Sequence, residues 1–152
     1  MPIVLNEWLI HDLRGDNGHV AQAESAEFLS AFQASTDQIV VLRPSRWTQK
    51  AFGLMTISTP PIHMLSRLLH YGILQDALKC SYVEVADLAP LPEELARLVP
   101  DDDAYLFQTA LAARVPVIVT TDTRLVDRVE TVAAGSGIRM LLRAEFIQRY
   151  VR

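Results

Sequence analysis

Asp101, Asp102 and Asp103 stand just ahead of an apolar-periodic run (Leu106, Ala110, Ala113), and Asp122 closes the β-branched run that begins at Val117-Ile118-Val119. This places carboxylates at both ends of one helix-then-strand unit. Hard divalent cations such as Mg²⁺ prefer oxygen ligands. A cation held by carboxylates can activate water and offset charge on a phosphate. The same residues also have ordinary roles. Asp is a preferred N-cap and acidic residues in a first turn offset the helix dipole, so the triplet also reads as capping plus solvated charge. Asp122 also reads as the cap of a helix opening near Thr123.

The elements decide which role is open to them. Pro2 to Leu5 reads as a first strand ending at Asn6, with Arg14 to Gly18 as a loop and helical periodicity from Ala23 to Phe32. A second strand follows over Gln38–Leu42. Ser45 is a good N-cap for a helix over Arg46–Met55, which Thr59-Pro60-Pro61 ends. His63 to Leu78 reads as another helix, interrupted at Gly72. Ser81–Val85 is a third strand, Glu93–Val99 a short helix, and the run from Asp103 a further one. Val117–Val119 is a buried strand, Arg124–Ala134 a helix stopped by Gly135 and Gly137, Ile138–Leu142 the last strand and Ala144–Val151 a terminal helix. Strands alternating with helices throughout predict a single three-layer α/β/α domain over residues 1–152, with a mostly parallel sheet. In such a sheet the carboxyl ends of the strands line the ligand crevice, which aims Asp122 at a binding place.

Composition narrows the function classes. Of 152 residues, 50% are hydrophobic and 21% charged, a globular balance. The net charge of −4 argues against a broad basic face, so a nucleic-acid partner would need local arginines or metal ions. Arg46, Arg124, Arg128, Arg139 and Arg143 would serve if they cluster. The single cysteine, Cys80, excludes a disulfide framework and zinc-knuckle spacing, reads as buried, and fits a cytoplasmic setting. No signal peptide or membrane segment is expected. The adjacent His11-Asp12 should face different sides. His63 and His70 share a helical face but read as ordinary helical histidines, and Ser45 and Ser136 lack a nucleophile-elbow context.

The stretches Asp103-Ala104-Tyr105-Leu106-Phe107-Gln108-Thr109-Ala110 and Val117-Ile118-Val119-Thr120-Thr121-Asp122, with the opening Ile3-Val4-Leu5-Asn6, resemble the PIN domain, a family of small α/β nucleases that includes bacterial toxin ribonucleases. In that family an Asp opens a helix and a later strand ends in Thr-x-Asp. The resemblance implies a Mg²⁺- or Mn²⁺-dependent ribonuclease centre, with Asp103 and Asp122 as metal ligands and Asn6 assisting through its carbonyl oxygen. It also implies that Thr120 or Thr121 orients a ligand carboxylate or a phosphate. Two departures qualify this. Asn6 takes the place of the family's first Asp, and the helix that normally carries a mid-chain Glu has Gln49 and Lys50 instead. Glu7 should point away from the crevice if the first strand continues. Lys50, if it enters the crevice, would pair with Asp103 and Asp122 where a cation would otherwise sit; otherwise it faces solvent.

Three functions follow from this reading. The leading one is a divalent-metal-dependent endoribonuclease of weak or residual activity on single-stranded RNA. The second is a binding module for RNA or protein without hydrolysis. The third is a toxin-type ribonuclease paired with an antitoxin. A homodimer is a further expectation carried by the resemblance.

Overall fold

In the computed structural model, which describes residues 1–151, five strands form one all-parallel sheet among the described residues, in the order β3-β2-β1-β4-β5. They are β1 (Pro2–Leu5), β2 (Gln38–Arg43), β3 (Cys80–Glu84), β4 (Val117–Thr120) and β5 (Arg139–Leu142). Their near-continuous apolar runs are those of strands covered on both faces. Alternate side chains along each strand enter two separate cores. Ile3, Leu5, Ile39, Val41, Val117, Val119 and Leu141 pack on one side with α1 (Trp8–Arg14), α2 (His19–Ala34), α3 (Arg46–Met55), α4 (Ile62–Leu69) and α8 (Arg143–Ile147). Val4, Val40, Ile118 and Met140 pack on the other with α5 (Glu93–Leu98), α6 (Ala104–Ala113) and α7 (Thr123–Gly135). This is the three-layer arrangement expected from the sequence.

The chain steps outward from β1 to β2 and β3, then returns to β4 on the other side of β1. β1 and β4 pair as Val4 with Ile118 and Leu5 with Val119, and the Asn6 N–H continues the ladder to the Val119 carbonyl at 2.9 Å. The strand order reverses here, and ligands gather outside the carboxyl ends of strands at such a point.

Some boundaries differ from expectation. The segment from Trp8 to Arg14 is a helix, ended by Gly15 at φ 87°, a left-handed conformation that glycine adopts without strain. The helix expected over His63–Leu78 is α4, followed by one π-helical turn from His70 to Leu74. A Cβ on Gly72 would lie 3.0 Å from Gln33 Nε2, so the absent side chain lets this turn sit against α2. The terminal helix is only α8, which the chain leaves through turns that bring Tyr150 against Phe28, 5.0 Å between ring centroids. No described helix is long and apolar enough to cross a membrane.

Candidate active site at the β1–β4 switch point

A crevice of about 660 Å³ opens at the carboxyl ends of β1 and β4, with Asn6, Glu7, Lys50, Asp103, Thr121 and Asp122 in its lining. Thr120, fully buried, ties its floor together. Its hydroxyl oxygen accepts from Asn6 Nδ2 at 3.2 Å and from the Asp122 backbone N–H at 3.1 Å. Thr120 therefore fixes the two strand ends instead of facing a ligand, and the exposed Thr121 is the threonine in the crevice. The Asn6 side-chain oxygen accepts the Glu7 N–H at 2.7 Å, so one lone pair of the expected neutral ligand is engaged by the backbone.

Glu7 does not turn away. β1 stops at Leu5, and Glu7 has helical backbone angles at the start of α1, so the strand alternation that would have aimed it elsewhere ends before it. Its carboxylate is 8% exposed by residue and receives Lys50 Nζ at 2.7 Å, Arg46 Nη2 at 3.0 Å and the Tyr105 hydroxyl at 2.9 Å. Burial alone would raise this carboxyl, but hydrogen bonds from Lys50 and Tyr105 and the charges of Lys50 and Arg46 hold it below its ordinary value.

Lys50 reaches the crevice, but its partner is Glu7 and not Asp103 or Asp122. The Ser45 side chain caps α3 in a capping box with Thr48, which sets Arg46 and Lys50, four residues apart, on the same side of that helix. The Lys50 ammonium also donates to His11 Nε2 at 3.0 Å. An ammonium has no lone pair, so the His11 proton sits on Nδ1, which donates to Asp16 at 2.9 Å. Arg46 spans the rim, donating to the Asp102 carbonyl at 2.9 Å and lying 3.6 Å from its carboxylate.

Asp103 and Asp122 line the crevice from different elements, and the charge of Asp122 acts on Asp103. Asp101–Asp103 is a single 3₁₀ turn leading into α6, and none of these side chains caps it; Asp101 and Asp102 are exposed. Asp122 caps α7, accepting the Leu125 N–H at 3.0 Å, which leaves its second oxygen free of that role. The Asp103 carboxyl is raised, first by partial burial and next by the charge of Asp122, with Arg46 opposing. Neither carboxylate has an ion-pair partner among the described residues.

Asp103 and Asp122 are the residues that would hold a divalent cation here, since neither carboxylate has an ion-pair partner among the described residues and like charges at one crevice gain from a cation. Among the described residues, however, no group of three or more His, Cys, Asp or Glu side chains is gathered to hold a metal ion unaided. Mg²⁺ commonly binds through one or two carboxylates, waters and substrate phosphates. The donor set fits that kind of ion, completed by a substrate, and does not fit a tightly held resident ion or a two-ion centre.

Other candidates separate. His11 belongs to the crevice, whereas Asp12 is buried on another side of α1, bound by Arg143 Nε, Ser25 and Asn17, each at 2.7 Å. His63 is exposed while His70 is buried with Nε2 donating to the Ala51 carbonyl at 2.7 Å. Burial pushes the Cys80 thiol up to about 11, which suits packing better than reactivity. Of the arginines, Arg46 lies at the crevice and Arg143 is committed to Asp12, while Arg124, Arg128 and Arg139 are exposed and outside the crevice lining. Sequence reasoning did not single out Tyr105, whose hydroxyl holds Glu7, or Trp8, which lines the crevice and donates its indole N–H to the Val119 carbonyl. Tyr105 lies two residues after Asp103, and that short spacing was the available signal. No protein-family model, curated protein or solved structure matches this chain.

Proposed function

We propose that the crevice is a weakened PIN-like phosphodiester site that binds single-stranded RNA and hydrolyses it slowly with one divalent cation. The observation that carries this reading is the meeting of Asn6, Lys50, Asp103 and Asp122 at the β1–β4 switch point. A divalent cation bound there would activate water and offset phosphate charge. Asp103 and Asp122 would hold it. Arg46 and Lys50 supply the positive charge that a chain of net charge −4 must concentrate locally to meet phosphate. Thr120 keeps Asn6 and Asp122 in register. Mn²⁺ should outperform Mg²⁺, because it accepts nitrogen and carbonyl ligands more readily.

The test is cleavage of a labelled single-stranded RNA with Mn²⁺ by the unaltered protein, by Asp122→Ala, and by the double variant Asn6→Asp with Lys50→Glu. Slow cleavage lost in the first variant and enhanced in the second supports the reading. Robust Mg²⁺-dependent cleavage that survives Asp122→Ala overturns it.

A second reading, an RNA-binding module without hydrolysis, is favoured by the Glu7 ion pairs. They tie up the carboxylate placed to stand in for an acidic residue at Asn6, while Arg46 and Lys50, each with further donors, bring positive charge to the crevice. RNA binding with no cleavage in any variant selects it.

A further inference from the structure

The opposite face of α3 borders a second, smaller cavity. It measures about 140 Å³ and is walled by Trp47, Phe52, His70 and Tyr82, with Arg43 and Gln75 also in its lining. Its shape comes from two local features. The π-helical turn His70–Leu74 swells the end of α4 and brings His70 and Leu74 to the wall; such turns often occur at functional sites. The capping box at Ser45 fixes the phase of α3, so that Arg46 and Lys50 line the crevice while Trp47, Ala51 and Phe52 line the cavity.

The cavity is aromatic, and its polar groups are incompletely used. Trp47 forms one wall; its indole N–H is sealed from solvent and has no hydrogen-bond partner among the described residues, where buried donors are nearly always paired. His70 stacks with Phe52, ring centroids 5.6 Å apart at 26°. Its Nε2 donates to the Ala51 carbonyl. The Arg43 guanidinium lies 4.3 Å over the Tyr82 ring and is held by Glu84. Phe52 is 64% exposed, a large aromatic ring at the surface beside a half-open aromatic space.

We infer that this cavity binds a single-ring heteroaromatic ligand, a pyrimidine base, seated against the Trp47 indole and packed among Phe52, His70 and Tyr82, with the Arg43 guanidinium at its edge. The size argues for one ring, since a cavity of about 150 Å³ accepts benzene. The chemistry argues for a base, because unpaired bases are held by aromatic and guanidinium planes together with a few hydrogen bonds to their edges. The base could arrive as a free nucleoside or as part of an RNA strand whose phosphate lies in the crevice across α3. Only the second source rests on the function proposed above.

The test begins with nucleosides, which carry no phosphate and so report on the cavity alone. The chain has two tryptophans, and Trp8 donates to the Val119 carbonyl, so two indole N–H signals are expected by NMR; Trp47→Phe assigns them. Uridine and cytidine should shift the Trp47 signal saturably and leave that of Trp8 in place, whereas adenosine should bind several-fold more weakly. Phe52→Ala, at an exposed position that the fold tolerates, should weaken uridine binding about fivefold or more. Trp47→Phe should weaken it by calorimetry while keeping the ring. No shift at Trp47, or equal binding of adenosine, overturns the inference, the first outcome meaning that water alone fills the space. Oligouridylate separates the sources. Tighter binding than uridine, weakened by both Phe52→Ala and Arg46→Ala, places a strand across α3. Uridine binding with no gain from the oligonucleotide keeps the cavity as a nucleoside site and counts against RNA in the crevice.

Discussion

Asp103 sits where its own charge works against the fold. Its carboxyl is raised by burial and by Asp122, so its charged form is disfavoured in the folded state. A group raised on folding adds stability as pH falls through its folded value. Asp103→Asn should therefore raise the unfolding temperature in metal-free buffer by about 1–3 °C and abolish Mn²⁺ binding by calorimetry. Asp101→Ala should leave both unchanged; equal loss of ion binding from that variant would show the wrong carboxylate had been chosen. Glu7 behaves in the opposite sense. Its carboxyl is held low, so its stabilisation is present above the ordinary Glu value and is lost as pH falls through the lowered one. Glu7→Gln should flatten that acid limb in urea unfolding and cost about 1–2 kcal/mol near neutrality.

At the scale of elements, the site depends on how short segments end. β1 stops at Leu5, and that stop turns Glu7 into the crevice. Thr120 joins the ends of β1 and β4 through one hydroxyl. Thr120→Val keeps the shape and removes the acceptor, so it should cost about 1–3 kcal/mol by urea unfolding and weaken ion binding by loosening Asp122. Stability lost without any change in ion affinity would assign Thr120 a purely structural role. These ends also explain what could be read beforehand. The β-branched runs at Ile39–Leu42 and Val117–Val119 declare buried strands in any context, and Asp103 and Asp122 could be placed because helix and strand limits flank them. Glu7 could not, because its direction depends on one residue more or less of strand. The partner of Lys50 could not either, since it depends on the phase of α3 and on Glu7 together. Tyr105 and Trp8 look like ordinary core aromatics until the crevice exists.

Across the whole molecule, the first and last helices are joined by a buried ion pair. Arg143 opens α8 and meets Asp12 of α1, with Ser25 of α2 and Asn17 completing the carboxylate's hydrogen bonds. Asp12 is 1% exposed. Removing the arginine alone strands a buried charge, so Arg143→Met should destabilise the protein by about 3–5 kcal/mol. Combining it with Asp12→Leu should recover much of that loss, measured by chemical denaturation. If the single variant were neutral, α8 would contribute little to holding α1, which Glu7 precedes and which carries His11 into the crevice.

Under the proposed function, the Lys50–Glu7 contact at 2.7 Å would make the crevice a place of exchange. An incoming phosphate that recruits Lys50 would weaken its hold on Glu7, leaving that carboxylate, still bound by Arg46 and Tyr105, less neutralised beside Asp103. Anion and cation would then each prepare the ground for the other. Linkage requires the benefit to be mutual: whatever factor RNA adds to Mn²⁺ affinity, Mn²⁺ must add to RNA affinity. Lys50→Met should shrink both factors together, and calorimetric titrations in either order would show the same reduced coupling.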